Sequence, residues 1–308
     1  MPYLGEICAL LTALCWTGSS MAFAIASRAA GPLPSNQFRL VAAVPVLVLL
    51  GWLSTGQLWP VHVPTHRIVL LVLSGLTGLT LGDLGFFHAL ATIGPRLSSV
   101  IMATWPAFAV AIAVGMGESL PLVMLFGMVL LMAGVLLVLL RSREGTAWNA
   151  TLTRRQLATG VAGALLGACG QAAGFVMSSA AMVAGSDLPD GVLPLQATVV
   201  RMVTALVGLQ CVACVRRQPV AFLAVLKNGT ALRAVLIGAA CGPVAGVWLS
   251  MVAVRYAASV GVAAALIATT PIFMMPVAAA VYGARIGWLG LTGTVLAVAG
   301  AAVLLLAP

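Results

Sequence analysis

The sequence predicts an all-α polytopic membrane protein in which ten transmembrane helices form two inverted five-helix repeats. Of its 308 residues, 62% are hydrophobic and 7% are charged, whereas a soluble domain carries about 25% charged residues. The hydrophobic runs are apolar on every side and do not alternate, which favours helices over the strands of a β-barrel. The two halves also share a layout, because placing Pro106 on Pro271 superposes Asp83 on Trp248 without a gap.

A helix needs about 20 mostly apolar residues to cross a bilayer, and we identify ten such segments. Their predicted bounds are 4–27, 36–54, 68–90, 96–116, 121–140, 157–182, 195–215, 232–256, 259–281 and 286–306. The connections are short and contain Gly, Pro and charged residues, so we expect no extramembrane domain. No basic stretch precedes the first segment, which we interpret as a retained helix and not a cleaved signal peptide.

Segments one to five match segments six to ten in order. Arg39 opens the second segment as Arg201 opens the seventh. We therefore predict one five-helix repeat over residues 1–144 and another over residues 151–308. Because each repeat has an odd number of crossings, the two must be inverted relative to each other. Inverted repeats are typical of transporters, whose site lies near mid-membrane between the repeats; a bundle duplicated for structural reasons is the alternative.

Basic residues predict the orientation in the membrane. One side holds only Arg67 and Arg255. The odd-numbered connections hold Arg28, Arg96, Arg141, Arg143, Arg154, Arg155, Arg216, Arg217, Lys227, Arg233 and Arg285. The positive-inside rule then places these connections in the cytoplasm and both termini outside. The net charge of +9 is therefore interpreted as topology and not as binding to nucleic acid.

Motifs for enzymes and ATP-driven pumps are absent from the sequence. We find no Walker loop, no zinc-protease helix motif, no serine nucleophile elbow and no paired catalytic carboxylates. We therefore expect neither an enzyme nor a cofactor. Cys211 and Cys214 form the one close cysteine pair, and no second Cys or His pair accompanies it. We expect no metal site and interpret the cysteines as small buried hydrophobes.

Charged residues inside the segments are the first candidates for function, because a charge at membrane depth costs roughly 2.5–3.5 kcal/mol. Asp83 lies about seven residues before the end of the third segment, roughly 10 Å below the rim, and Arg39 enters from the same side. Asp83 either binds a substrate amine or a coupling proton, or forms a structural pair with Arg39. Arg201 is expected to form a structural or gating pair with Asp187 and Asp190.

Aromatic and polar residues in mid-segment supply further candidates, since interfacial belts explain tryptophans only at segment ends. The predicted substrate-binding residues are Trp16, Asp83, Phe87, Thr104, Trp105, Gln171, Trp248, Thr269 and Thr270. The predicted coupling or gating residues are Asp83, His88, Arg39 and Arg201; for His88 a hydrogen-bonded core histidine is the alternative. Pro106 and Pro271 each remove a helix hydrogen bond and are predicted to bend their segments.

Glycines recur at four-residue spacing, as at Gly78 and Gly82 and at Gly170 and Gly174. Small residues at this spacing let two membrane helices approach closely. We predict that these glycines pack helices together, and that the surfaces they form could also slide during a change of access.

An ordered set of short motifs extends through the first half. The set is Arg39-Leu40, Gly82-Asp83, Phe86-Phe87, Ala89-Leu90, Ile93-Gly94-Pro95-Arg96, Pro106, Gly117-Glu118, Gly127 and Gly134. In this order the sequence resembles the drug/metabolite transporter superfamily, specifically its ten-span proteins with two EamA-type repeats, over nearly the whole chain. The second repeat departs from the pattern, with Ala284-Arg285 in place of Glu118 and Trp248 in place of Asp83.

The resemblance implies transport of small metabolites, often amino acids or amphipathic compounds, through a cavity lined by segments one, three, four, six, eight and nine. It also implies cytoplasmic termini, the reverse of the charge distribution, which we follow. We predict a secondary transporter in the cell (inner) membrane that moves a small organic metabolite by alternating access or facilitated diffusion. Export is the favoured direction, the lipid bilayer and a small-molecule substrate are the expected partners, and protons are a candidate coupling ion. A non-transporting membrane scaffold or subunit is the alternative.

Overall fold

The computed structural model describes residues 3–115, 122–140, 152–257, 260–282 and 287–306. Over these residues the chain consists of helices, with no β-strand. Six helices in this part are long and apolar enough to cross a membrane: Leu4–Ala30, Pro32–Thr55, Thr65–Thr92, Arg154–Met182, Pro194–Val215 and Gly229–Tyr256. The predicted all-α polytopic architecture is confirmed, whereas membrane crossing by the remaining four segments stays a prediction.

The helices are labelled in chain order. They are α1 Leu4–Ala30, α2 Pro32–Thr55, α3 Thr65–Thr92, α4 Gly94–Met102, α5 Trp105–Gly115, α6 Leu122–Leu140, α7 Arg154–Met182, α8 Pro194–Val215, α9 Leu223–Leu226, α10 Gly229–Tyr256, α11 Val260–Ile267, α12 Thr270–Tyr282 and α13 Trp288–Leu306.

Helix ends follow local sequence signals. α1 ends at Gly31, whose φ of 97° favours glycine, and Pro32 then begins α2. α2 ends at Gly56, with φ 71°. α7 begins with a capping box, in which Thr153 accepts a hydrogen bond from the backbone N–H of Gln156 and the Gln156 side chain accepts one from the Thr153 N–H.

The fourth and ninth predicted segments are each broken into two helices. The breaks lie at residues 103–104 and 268–269, so that Pro106 and Pro271 are the second residues of α5 and α12. Proline is favoured at the start of a helix because its missing N–H would be unpaired there anyway. The two prolines therefore start new helices.

Two π-helical stretches interrupt α3 and α10. They cover Gly75–Gly82 and Ala240–Val247, and each ends at the residue before Asp83 or Trp248. These are the two positions that the alignment of the repeats superposes. π-Helical turns are rare in proteins, and those that occur are often found at functional sites. Because the two stretches lie at matching positions, the halves share this backbone irregularity as well as sequence features.

Contacts between the two halves are symmetric. α1 packs along α10 as α7 packs along α3, while α2 packs on α8 and α6 on α13. α1 also packs on α11 and α12, as α7 packs on α4 and α5. Each contact is therefore matched by its counterpart when the halves are exchanged.

Glycines bring α3 and α7 into backbone contact. A Cβ at Gly85 would lie 2.5 Å from the carbonyl oxygen of Gly163, and a Cβ at Gly170 would lie 2.6 Å from that of Thr77. No larger residue fits at such distances, so the α3–α7 crossing depends on these positions. The glycines at four-residue spacing therefore pack α3 against α7, as the sequence predicted.

Several predictions concern residues outside the described part of the chain. They are the cytoplasmic charges Arg141, Arg143 and Arg285, the Gly117-Glu118 pair, and the repeat boundary between residues 144 and 151.

Candidate functional site

A cavity lies between the two halves, with about 780 Å³ of space unoccupied by protein atoms, its open mouth included. α1, α3, α4, α5, α7, α10, α11 and α12 contribute to its wall, and α2 contributes Arg39. The wall thus draws on both repeats. Cavities at repeat interfaces are where transporters bind their substrates.

Most of the predicted binding residues meet at this cavity. They are Trp16, Asp83, Phe87, Trp105, Gln171 and Thr270, joined by Arg39 and Pro271. The fold therefore brings residues spread over more than 250 positions of the chain together around one cavity.

An ion pair between Arg39 and Asp83 occupies one side of the cavity. Arg39 Nη2 lies 2.5 Å from Asp83 Oδ2 and 3.5 Å from the carbonyl oxygen of Leu79. The Arg39 side chain is buried, whereas 16% of the Asp83 side chain is exposed. Among the described residues none donates a hydrogen bond to Asp83 Oδ1. Asp83 Oδ1 therefore remains an acceptor without a donor among these residues.

Aromatic rings hold the arginine in place. The Arg39 guanidinium carbon lies 5.1 Å from the ring centroid of Phe87 and 5.8 Å from that of Phe23, and these two rings are 4.9 Å apart. Cation–π contacts of this kind partly compensate for lost hydration. The pair is thus fixed in a mostly apolar wall, in which electrostatic interactions are stronger than in water.

Trp105, which also lines the cavity, packs against Phe175 at a centroid distance of 5.0 Å. Trp16 lies against Gly246, where a Cβ would come within 2.8 Å of its ring. The absence of a side chain at Gly246 therefore gives the Trp16 indole room beside α10.

Three predicted binding residues lie outside the cavity wall. Trp248 is 38% exposed on the outer surface of the helices, so the expectation that it forms cavity wall was wrong. Thr104 and Thr269 donate hydrogen bonds to the carbonyl oxygens of Ile101 and Leu266, at 2.8 and 2.6 Å. Their hydroxyls therefore cap the turns before the two helix breaks.

The other residues predicted to act in coupling, gating or helix bending, His88, Pro106 and Arg201, do not line the cavity. His88 is partly buried, with its ring near Gly163 of α7. Pro106 starts α5 without lining the cavity. Arg201 is 3% exposed and its Nη1 lies 3.4 Å from the sulfur of Met251. It forms no ion pair with Asp187 or Asp190, so the expected pairing is wrong.

Other cavity residues were not anticipated from the sequence. They are Ser19, Ser20, Phe23, Leu79, Phe86, Ser99, Met102, Ala103, Gly242, Pro243, Val247, Ile267 and Ala268. A signal existed for three of them, because Ser19, Ser20 and Phe23 follow Trp16 at three, four and seven residues and so share its helix face. The others carry no charge that would have singled them out.

Asp187, which was expected to pair with Arg201, is bound to Arg67. Its carboxylate accepts hydrogen bonds from Arg67 Nε at 2.8 Å and Nη2 at 2.6 Å, and His66 Nε2 lies 3.4 Å away. Arg67 Nη1 also donates to the carbonyl oxygens of Ala181 and Val183. This arrangement ties the start of α3 to the connection that follows α7.

The hydrogen bonds from Arg67 hold the pKa of Asp187 below its ordinary value. A lowered folded-state pKa means that the pair contributes fully above about pH 4 and is lost only as the pH falls through the lowered value. We therefore expect hydrogen exchange in residues 181–192 to stay protected from about pH 8 to 5, and Asp187→Asn to lose that protection. Asp190→Asn, at an exposed neighbour, is the control; loss of protection at pH 5 in the unmodified protein would contradict this account.

The sequence matches the EamA-like transporter family twice, at residues 3–140 and at residues 159–306. One solved crystal structure is similar over 97% of this chain and 95% of its own, with a TM-score of 0.62 and 17% sequence identity, which supports the fold alone. No curated protein matches the sequence. The two family matches cover most of the chain, and together with the apolar helices they show that this multi-pass membrane protein belongs to the EamA-like transporter family, within the drug/metabolite transporter superfamily.

Proposed function

We propose that the protein is a secondary transporter that exports a small organic metabolite, an amino acid or an amphipathic compound, across the cell (inner) membrane. The observation that carries this proposal is the cavity between the halves, whose wall contains both the Arg39–Asp83 ion pair and several aromatic rings. Such a wall fits a solute with an apolar body and a polar end, because each part then meets groups of its own kind.

Alternating access is supported by the symmetry of the helix contacts. If all ten segments cross the membrane, the halves 1–144 and 151–308 have opposite orientations, and exchanging their conformations would open the cavity to the other side. When the two halves rock, α3 and α7 would slide past each other along their close glycine contacts.

Asp83 is the proposed coupling group. When a proton or a cationic part of the solute binds its free oxygen, the attraction between Asp83 and Arg39 weakens, and the cost of burying both charges changes. A conformational change that depends on this pair would then depend on the proton. In a passive facilitator, transport would not depend on the proton.

The experiment is transport of a mixed pool of amino acids and other metabolites into and out of proteoliposomes, read by mass spectrometry with and without a pH gradient. We expect one class of solute to accumulate only with the gradient and only when the protein is present. Equilibration without gradient dependence would establish a facilitator. Folded protein with no flux of any pool member would favour the non-transporting scaffold.

A further inference from the structure

Arg201 of α8 is a buried cation with no acidic side chain of the described residues in ion-pair contact; Asp83 attracts it only from a longer distance. Its side chain is 3% exposed, its Nε has no hydrogen-bond partner, and its Nη1 contacts only the Met251 sulfur, at 3.4 Å. Among the described residues no ion pair involves this guanidinium. A buried charge is strongly unfavourable unless it is paired. Asp83 is already paired with Arg39, so the Arg201 donors have no hydrogen-bonded anion of their own in this part of the chain.

The first repeat shows which group is missing. Arg39 and Arg201 are each the eighth residue of a helix that begins with proline, α2 and α8. Arg39 is paired with Asp83 at 2.5 Å, but the position that corresponds to Asp83 in the second repeat is Trp248, which is uncharged and exposed. The second repeat therefore has the arginine without the carboxylate.

The Arg201 guanidinium lies just behind the cavity wall. Its Nη2 occupies a slot between α3 and α7, where a Cβ at Gly78 would be 3.7 Å away and a Cβ at Gly174 would be 3.5 Å away. The residue after Gly78 is Leu79, and Gln171 precedes Gly174 by about one helical turn of 5 Å; both line the cavity. A small displacement of α3 against α7 would therefore join the guanidinium to the cavity.

We propose that Arg201 is an anion-binding site that faces the solute pathway in the conformation opposite to the one described. In that conformation its guanidinium takes a small anion, either a carboxylate carried by the solute or a free inorganic anion such as chloride. The planar fork of arginine donors suits a carboxylate in particular. The inference rests on the proposed alternating access, since inverted repeats place Arg39 and Arg201 at matching depths from opposite membrane faces.

Thermal unfolding of the purified full-length protein tests the site without any need for transport. Sodium acetate and sodium chloride are titrated separately, and the melting temperature is recorded. An anion that binds the folded protein raises the melting temperature along a saturable curve, and we expect a rise of about 2–5 °C in the unmodified protein. A rise with acetate alone identifies a solute carboxylate as the natural anion, and a rise with chloride identifies a free ion.

Met251→Glu is the decisive variant, because it places a carboxylate beside the guanidinium in a side chain of similar length. We expect it to fold and to lose the saturable anion response. Arg201→Gln should lose the response as well, and Arg201→Lys should keep a weaker one.

No saturable rise in the unmodified protein would overturn the proposal, as would an equal rise in Met251→Glu. Salt effects that are common to all variants are removed by this comparison. Because no flux is measured, failure of the metabolite-transport experiment would leave the result of this one unchanged.

Discussion

Replacing Asp83 with asparagine is expected to abolish gradient-driven accumulation of solute in proteoliposomes. The substitution removes the carboxylate that is partly exposed to the cavity and that can bind a proton or a cationic group. It also leaves the buried Arg39 without its counter-charge, which costs about 3 kcal/mol of folding free energy. Initial rates with and without a pH gradient, measured together with the melting temperature, check both effects.

A second variant separates stability from coupling. Combining Asp83→Asn with Arg39→Gln removes both charges, so that neither residue leaves a buried charge without its counter-charge. We expect this double variant to recover the melting temperature and not the gradient dependence. Asp190→Asn, on an exposed connection, should behave like the unmodified protein. Normal gradient-driven accumulation by folded Asp83→Asn would show that the pair is only structural.

Replacing Gly170 with alanine is expected to prevent stable folding. The added Cβ would lie 2.6 Å from the carbonyl oxygen of Thr77 and 2.9 Å from the Cα of Gly82. Both are backbone atoms, so no side-chain rotation relieves the contact, and α3 and α7 must separate. Overpacking costs about 1–3 kcal/mol where side chains can adjust, and we expect a larger loss here.

Gly229→Ala supplies the matched control for this prediction. Gly229 is the first residue of α10, and a Cβ there would meet no atom within 4 Å. The melting temperature and the gel-filtration profile of both variants in detergent provide the measurement. Equal melting temperatures would contradict the close α3–α7 crossing.

The sequence could predict the Arg39–Asp83 pair because two physical rules restricted the choices. Charge at membrane depth is costly, which singled out Asp83, and Arg39 enters from the same side. The two repeats were visible because prolines and glycines occupy corresponding positions in both halves. These features depend on residue type and spacing alone.

Side-chain direction could not be predicted in the same way. Trp248 corresponds to Asp83 in the repeat, but Asp83 is drawn towards Arg39 by charge, whereas Trp248 has no such partner and lies on the apolar surface. The π-helical stretches have no sequence signal either, since an apolar run fits an α-helix and a π-helix equally. Arg67 was read only as a topology marker, and its pairing with Asp187 depends on how the connection after α7 folds.

In the proposed mechanism, solute crosses the membrane through the cavity between the halves. Ala103 lines that cavity, whereas Ala162 is exposed on the surface of α7, so a phenylalanine at each position gives a matched pair. The most direct measurement is the flux of the identified solute through folded Ala103→Phe and Ala162→Phe in proteoliposomes. We expect Ala103→Phe to lose flux because its ring occupies part of the cavity and narrows the path of the solute, and Ala162→Phe to keep it. Equal flux through both would show that solute does not cross there.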